Sequence, residues 1–137
     1  MVGAVLSDAK PYPKSAQLGR GERRYRRKVA SPKQWQAIIA AKRGPCRVCG
    51  LDRFDAPGIG LQFHHVVSRQ DHGDDVRDNI VPVDAVCHDE LTRRSRGHGL
   101  KLLMSLTDAE YAYAVQKGGE DYFERAYGLA YSRESQR

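Results

Sequence analysis

The sequence predicts a small α+β fold, in which two short strands are preceded and followed by helices. Two stretches rich in β-branched residues and bounded by turn residues, 61–67 and 79–83, have the pattern of strands. Stretches with helical spacing and capping residues surround them, at 31–43, 85–96, 107–118 and 120–127. A length of 137 residues fits one domain of ordinary size, so we expect a single folded body.

Capping residues mark the ends of the predicted helices. Ser31 followed by Pro32 is an N-cap with proline at the first helical position. Thr107 and Glu110 have the spacing of a capping box. The helix that begins near residue 85 is expected to end at Gly97-His98-Gly99, because glycine favours helix termination.

The positive charge is concentrated at the N-terminus. The formal net charge is +6, and residues 1–30 hold eight Lys and Arg against two Asp and Glu, which accounts for all of it. Because this segment has little apolar surface to bury, we expect a largely flexible basic arm, with residues 31–137 as the single domain. The arm is either a solubilising tail or a phosphate-tracking segment. Its candidate DNA-binding residues are Arg23, Arg24, Arg26 and Arg27.

Composition argues against several classes of protein. Mean hydropathy is -0.64 and no apolar run approaches the length of about 18 residues typical of a transmembrane helix, so we expect no membrane partner. The first residues lack the charged and apolar regions of a signal peptide, and we expect a soluble cytoplasmic monomer. Three cysteines argue against a disulfide framework and favour metal binding or free thiols.

The cysteines have the spacing of a zinc site with one substituted ligand. Cys46-x-x-Cys49 is one half of a zinc knuckle, and Asp84-x-x-Cys87 stands where a second C-x-x-C would complete it. Zinc accepts carboxylate ligands, so three thiolates and the Asp84 carboxylate are a candidate structural site. The alternative is three reduced cysteines that pack the knuckle against a strand.

A second constellation consists of His64, His65, Asn79 and His88. Adjacent strand residues point to opposite faces, so His64 and His65 are expected to do different work. His88 lies in the first turns of the helix after the second strand, where it can come close to one of these two histidines. The spacing is compatible with a β-hairpin packed on a helix with a divalent ion between them. It is equally compatible with ordinary histidines and no ion.

These residues resemble the HNH endonucleases, also called His-Me finger or ββα-metal nucleases. The resemblance lies in His64–Arg69, Gly73–Asp75, Asp78–Pro82 and Cys87-His88, and is strong over about residues 45–92. It is closest to small bacteriophage members, some of which are associated with terminase. The resemblance implies a ββα-metal core with a zinc knuckle and flanking helices, DNA as substrate, a phage origin and a link to genome packaging. The terminase large subunit is then a further expected partner.

The resemblance also assigns a role to each residue. It implies that His65 is the general base that activates water, and that His64 and His88 bind one catalytic divalent ion, which is Mg²⁺, Mn²⁺, Ni²⁺ or Zn²⁺. Asn79 matches the residue that ties the loop between the strands together and orients the base. The expected products carry 5′-phosphate and 3′-hydroxyl ends. Asp84 departs from the family pattern, since many members have cysteine there.

Other polar residues are candidates for contact with DNA. Arg69 follows the first strand and is a candidate for the scissile phosphate, while Arg93 and Arg94 either line the DNA groove or complement a helix C-terminus. The loop aspartates are expected to be turn and cap residues, with accessory metal contact as the alternative. They are Asp74, Asp75 and Asp78.

Within the single domain, we expect a nuclease core at 45–96 and a helical C-terminal extension at 100–130. Two further functions stay open from the sequence. One is a non-catalytic DNA-binding zinc module, and the other is an accessory protein that stimulates a terminase. The complete set of His64, His65, Asn79 and His88 argues against the first of these.

Overall fold

A computed structural model describes residues 26–52 and 60–129. Within those ranges the chain forms two strands and five α-helices, together with two single-turn 3₁₀ segments between the strands. In chain order the regular elements are α1 (Pro32–Lys42), β1 (Leu61–His65), β2 (Ile80–Asp84), α2 (Ala85–Thr92), α3 (Arg96–Ser105), α4 (Asp108–Gly118) and α5 (Tyr122–Tyr127). The 3₁₀ segments are Arg69–Asp71 and Arg77–Asn79. The predicted α+β class is confirmed.

The two strands form an antiparallel pair that runs directly into α2. His64 lies opposite Val81 and His65 opposite Ile80, so the end of β1 is paired with the start of β2. All five residues of β2 are buried, as expected for a strand covered on both faces. Pro82 has no amide hydrogen to donate, but its carbonyl accepts from the amide of Arg47 at 3.0 Å. This bond attaches the cysteine knuckle to β2.

The predicted caps of α1 and α4 are confirmed. The Ser31 hydroxyl accepts from the amide of Gln34, and the Gln34 side chain accepts from the amide of Ser31. Thr107 and Glu110 form the same reciprocal pair at α4. Such caps satisfy amides that lack partners within the helix, which fixes where each helix begins.

The predicted helix end at Gly97-His98-Gly99 is wrong. Helix α2 ends at Thr92, and the three residues lie inside α3, which begins after the N-cap Ser95. A Cβ at Gly99 would lie 2.3 Å from Cγ of Tyr127. Gly99 therefore allows α3 and α5 to pack closely, a long-range role that local sequence does not distinguish from helix termination.

A buried ion-pair cluster joins the knuckle to α1 and α4. Glu110 is fully buried, and its carboxylate accepts from the two terminal guanidinium nitrogens of Arg47, at 2.7 and 3.0 Å, and from the ammonium of Lys42. Burial alone would raise the pKa of Glu110, but the hydrogen bonds from Arg47 and Lys42 outweigh it and lower the pKa to about 2. Glu110 is therefore ionised over the whole neutral range.

We expect Glu110→Gln to destabilise the protein by roughly 2–4 kcal/mol, because it leaves two partly buried cations without a counter-charge. A lowered pKa in the folded state means that the stability from ionised Glu110 is complete above about pH 4.5 and is lost as the pH falls towards 2. Denaturant unfolding at pH 7 and pH 3 measures both effects. The exposed Glu120→Gln is the matched control. A change below about 0.5 kcal/mol in Glu110→Gln at pH 7 would contradict the assigned role.

Residues 26–30 lie against the loop between the strands. The amide of Asp75 donates to the carbonyl of Lys28 at 2.8 Å, and the amide of Lys28 donates to Oδ1 of Asp74 at 2.6 Å. From α4, the ammonium of Lys117 donates to the carbonyl of Arg26 at 2.6 Å. The last residues of the expected basic arm thus contact the folded body, and its residues 1–25 lie outside the described residues.

Among the described residues, no helix combines the length and the apolar character needed to cross a bilayer.

Candidate active site

Three thiols and a carboxylate converge beside β2. Cys46 and Cys49 come from the knuckle, Asp84 is the last residue of β2, and Cys87 lies in the first turn of α2. One possible ligand atom from each residue lies within 4.8 Å of all the others. Asp84 has two roles, since Oδ1 accepts from the amide of Cys87 at 2.7 Å while Oδ2 accepts from the thiol of Cys49 at 3.2 Å. The four predicted ligands are therefore placed to hold a metal ion.

The donor set fits structural zinc. Sulfurs that bind zinc tetrahedrally at about 2.3 Å lie about 3.8 Å apart, so the observed cluster needs only a small contraction to close on an ion. Burial, together with the neighbouring Cys46 and Asp84, raises the pKa of the Cys87 thiol. Burial also raises the pKa of the Cys49 thiol. Three thiols and a carboxylate gathered at one place, three of the four residues being buried, are typical of a site that binds a cation.

His64 lies on the face of the strand pair opposite to that of Asp84, and its side chain faces that of His88. Their rings meet edge to face, with centroids 5.2 Å apart. Nε2 of His64 is buried and has no hydrogen-bond partner among the described residues. Burial and the nearby His88 and His65 lower the pKa of His64 to about 3, so its imidazole is neutral. A neutral imidazole nitrogen without a partner is a ready metal ligand.

His88 is held from the side of β1. Its Nδ1 forms a hydrogen bond with Oε1 of Gln62, two residues before His64 on the same strand. Burial lowers the pKa of His88 as well, so both imidazoles of the pair are neutral at pH 7. The sequence did not single out Gln62. Its position at i−2 from His64, on the same face of β1, is the signal that could have found it.

His65 points away from His64 and lies between a tryptophan and a carboxylate. Its Nε2 lies 2.8 Å from Oδ1 of Asp75, and its ring stacks on Trp35 with centroids 5.9 Å apart and planes at 10°. Burial lowers the pKa of His65, although the hydrogen bond to Asp75 opposes the shift. His65 is therefore neutral at pH 7, with Nε2 engaged by Asp75.

Asn79 ties together the two ends of the loop between the strands. Its Oδ1 accepts from the amide of Val67 at 2.7 Å, and its Nδ2 donates to the carbonyls of Val67 and Asp74 at 3.1 and 2.9 Å. Gly73 completes the arrangement, since a Cβ there would lie 1.7 Å from the carbonyl oxygen of Val67. Fully buried Asn79 thus fixes the backbone that follows His65.

A cavity of about 400 Å³ opens on this set of residues. His64, His65 and His88 line it, together with Arg69 and Arg94. Arg94 has a positive φ of 63°, uncommon outside glycine, and forms an ion pair with Asp71 at 3.5 Å. Both arginines place positive charge beside the histidines.

Helix α5 also reaches the cavity, which the sequence did not predict. Tyr122 and Tyr127 line it, and the Arg94 guanidinium lies 5.7 Å from the centre of the Tyr127 ring. A cation over an aromatic ring is held in place by the ring quadrupole. Helix α5 therefore helps to hold the Arg94 side chain at the candidate site.

The other predicted DNA-binding arginines differ in placement. Arg93 is absent from the cavity lining, is largely exposed and forms an ion pair with Asp89 at 3.1 Å. Arg27 forms an ion pair with Asp75, and Arg26 is exposed. Arg23 and Arg24 lie outside the described residues.

Sequence reasoning missed two residues that contact His65. The sequence predicts Asp75 as a turn or cap residue or an accessory metal contact, whereas its carboxylate contacts the imidazole. Trp35 lies in the predicted helix at 31–43, and the sequence assigns it no role at the site. No local pattern indicates either contact, because both depend on how distant segments of the chain meet.

Comparison with known families matches part of the chain to a family of nucleases. A family model for HNH endonucleases matches residues 46–94, about a third of the chain. The matched segment runs from the first cysteine of the cluster to Arg94 and contains all four cluster ligands and His64, His65, Asn79 and His88. No curated protein and no solved structure matches the chain. The match indicates a nuclease-type function for this segment.

Proposed function

We propose that the protein is a divalent-metal-dependent endonuclease that hydrolyses phosphodiester bonds in DNA. In this proposal His64 and His88 bind the catalytic ion and His65 is the general base. The observation that carries the proposal is the buried Nε2 of His64. It has no hydrogen-bond partner among the described residues, and its ring lies beside that of His88 at a cavity also lined by His65.

The residues fit a metal ion at His64 and His88. Both imidazoles are neutral, since burial lowers both pKa values, so each offers a nitrogen lone pair without having to release a proton. When bound there, a divalent ion supplies electrostatic stabilisation of the negative charge that develops on the phosphate. Two nitrogen ligands favour Mn²⁺, Ni²⁺ or Zn²⁺ by affinity, whereas supply favours Mg²⁺.

His65 is suited to accept a proton from the attacking water. With Nε2 engaged by Asp75, Nδ1 is the nitrogen that carries the lone pair. The water oxygen forms a bond to phosphorus as its proton passes to Nδ1, and the bond from phosphorus to the 3′-oxygen breaks. The leaving oxygen takes a proton from solvent. The products carry 5′-phosphate and 3′-hydroxyl ends, and His65 returns its proton to solvent.

Arginines around the cavity would hold the DNA backbone. Arg69 and Arg94 line the cavity beside the histidines, where their guanidinium groups can donate to phosphate oxygens. Asp74 and Asp75 hold residues 26–30 against the loop between the strands. This segment includes Arg26 and follows Arg23 and Arg24 in the sequence. We propose that this basic arm follows the backbone beyond the cut site.

We further propose that zinc occupies the Cys46, Cys49, Asp84 and Cys87 cluster as a structural ion. Two of these residues belong to the knuckle and two to the junction of β2 and α2, so one ion would hold both parts together. The proposed domain comprises residues 31–137, with the core at 45–96 and the helical extension at 100–130.

The biological setting proposed here is a phage-encoded enzyme that acts on DNA in the host cytoplasm during genome packaging, as a monomer that cooperates with the terminase large subunit. The support is the resemblance of the segment from His64 to His88 to small phage endonucleases. Binding of the purified protein to a terminase large subunit, measured with and without DNA, tests this part separately.

The enzymatic proposal is tested with supercoiled plasmid. We expect the purified wild-type protein to convert it to nicked or linear DNA with at least one of Mg²⁺, Mn²⁺, Ni²⁺ or Zn²⁺, and EDTA to abolish the conversion. His64→Ala and His88→Ala should each lose activity, whereas His98→Ala, outside the cavity lining, should retain it. Plasmid that stays intact with every ion would refute the proposal.

A further inference from the structure

Asp75 contacts His65 and the N-terminal segment at the same time. Its Oδ1 lies 2.8 Å from Nε2 of His65 and also accepts from the Arg27 guanidinium, while Oδ2 accepts from the amide of Ala30 at 3.0 Å. The side chains of His65 and Asp75 are only 9% and 10% exposed. The bond between them is therefore largely shielded from competing water.

These contacts constrain the imidazole in two ways. An ionised carboxylate only accepts hydrogen bonds, so Nε2 of His65 must carry a proton and Nδ1 must be the free acceptor. Burial would raise the pKa of Asp75, but the hydrogen bonds from His65 and Ala30 and the charge of Arg27 lower it, which keeps the carboxylate ionised. The stacked ring of Trp35 restricts rotation of the imidazole plane.

We propose that Asp75 is a positioning residue for His65, which it fixes in the tautomer that leaves Nδ1 free, and that residues 26–30 hold Asp75 in place. The inference rests on the proposed function, because the free Nδ1 takes part in the chemistry only if His65 accepts a proton from the attacking water. It adds a link from the N-terminal segment to the chemistry, since among the described residues Arg27 and Ala30 supply two of the three donors to the Asp75 carboxylate.

The competing explanation is that Asp75 merely anchors residues 26–30. Asp74 provides the matched control, because it anchors the same segment by accepting from the amide of Lys28 at 2.6 Å. Its carboxylate also accepts from the hydroxyl of Tyr113 at 2.7 Å, whereas the carboxylate that engages His65 is that of Asp75. Loss of either aspartate therefore loosens the segment, but only loss of Asp75 frees the imidazole.

The kinetic test compares Asp75→Ala and Asp74→Ala with wild type in cleavage of a duplex oligonucleotide at saturating metal. We expect Asp75→Ala to lower kcat by about 10- to 100-fold, whereas any change in KM from the loosened segment should be similar in Asp75→Ala and Asp74→Ala. Asp74→Ala should leave kcat within about twofold of wild type. A kcat for Asp75→Ala within twofold of wild type would overturn the proposal, as would an equal loss in both variants.

The tautomer itself is measured by ¹⁵N NMR of the imidazole nitrogens in the DNA-free protein. We expect His65 in the wild type and in Asp74→Ala to be protonated at Nε2 alone, and Asp75→Ala to show a mixture of both tautomers. Asp75→Asn preserves side-chain size and serves if the alanine variant fails to fold. Its amide can donate as well as accept, so it should also mix the tautomers. An unchanged tautomer in both Asp75 variants would overturn the proposal.

The two proposals fail in different ways. If the wild type cleaves no DNA with any ion, the proposed function fails, and the NMR measurement still reports whether Asp75 sets the tautomer of His65. If the wild type cleaves DNA and Asp75→Ala cleaves it equally well, the positioning role fails alone.

Discussion

His65→Ala is expected to lower the rate of DNA cleavage by about 10²- to 10⁴-fold, the usual contribution of a positioned general base. The variant removes the imidazole that lies between Asp75 and Trp35 but leaves in place the proposed metal ligands, His64 and His88. The loss should therefore appear in kcat, with the affinity for the divalent ion changed little. Single-turnover cleavage of a labelled duplex, titrated with Mn²⁺, separates the two quantities.

A matched control comes from His98→Ala. His98 lies in α3, contacts Ser95 and is not among the residues that line the cavity. We expect this variant to cleave at the wild-type rate. If His65→Ala cleaves within about threefold of wild type, another group accepts the proton and the assignment of the base is wrong.

Cys46→Ser is expected to abolish stoichiometric metal binding at the cysteine cluster and to lower Tm by about 10 °C or more. The remaining thiols and Asp84 lie in a cluster whose possible ligand atoms come within 4.8 Å of one another. Without an ion, the folded state either keeps these groups ionised, so that they repel one another, or has to protonate them, and both lower its stability. Metal analysis of the purified protein and thermal unfolding with and without a chelator measure both effects.

Asp84→Asn tests the fourth ligand separately from the fold. An asparagine can still accept from the amide of Cys87 as the N-cap of α2, but it lacks the negative charge. We expect weaker zinc binding with a smaller loss of stability than in Cys46→Ser. The exposed Asp89→Asn on the same helix should behave as wild type. A wild-type protein that contains no metal and is insensitive to chelators would contradict a structural ion.

Local physical chemistry made most of the fold predictable. Ser31 and Thr107 carry side chains that accept from amides three residues on, so the starts of α1 and α4 follow from the sequence. The strands were identified by composition, but β1 ends two residues earlier than predicted, and β2 begins and ends one residue later. The prediction for the glycines at 97 and 99 was wrong, because the packing of Gly99 against Tyr127 is a tertiary contact without a local pattern.

The candidate site was predictable where chain order carries the geometry. His64 lies at the end of β1 and His88 in α2, which directly follows β2, so the antiparallel pairing of β1 with β2 brings the two residues together. The Cys46-x-x-Cys49 and Asp84-x-x-Cys87 spacings predict candidate metal ligands, and the structure brings these four residues together. The proposed positioning role of Asp75 could not be predicted, because it involves contacts with residues 26–30. No pattern in the sequence indicates that this segment lies against the loop between the strands.

Metal binding by His64 and His88 is tested by locating the proposed catalytic ion. Crystals of the full-length protein grown with Mn²⁺ are measured near the manganese absorption edge, where anomalous scattering identifies the metal. We expect a peak within coordination distance of Nε2 of His64 and a ring nitrogen of His88, separate from the cysteine cluster. Manganese absent from the cavity, with Nε2 of His64 still without a partner, would contradict metal binding by His64 and His88.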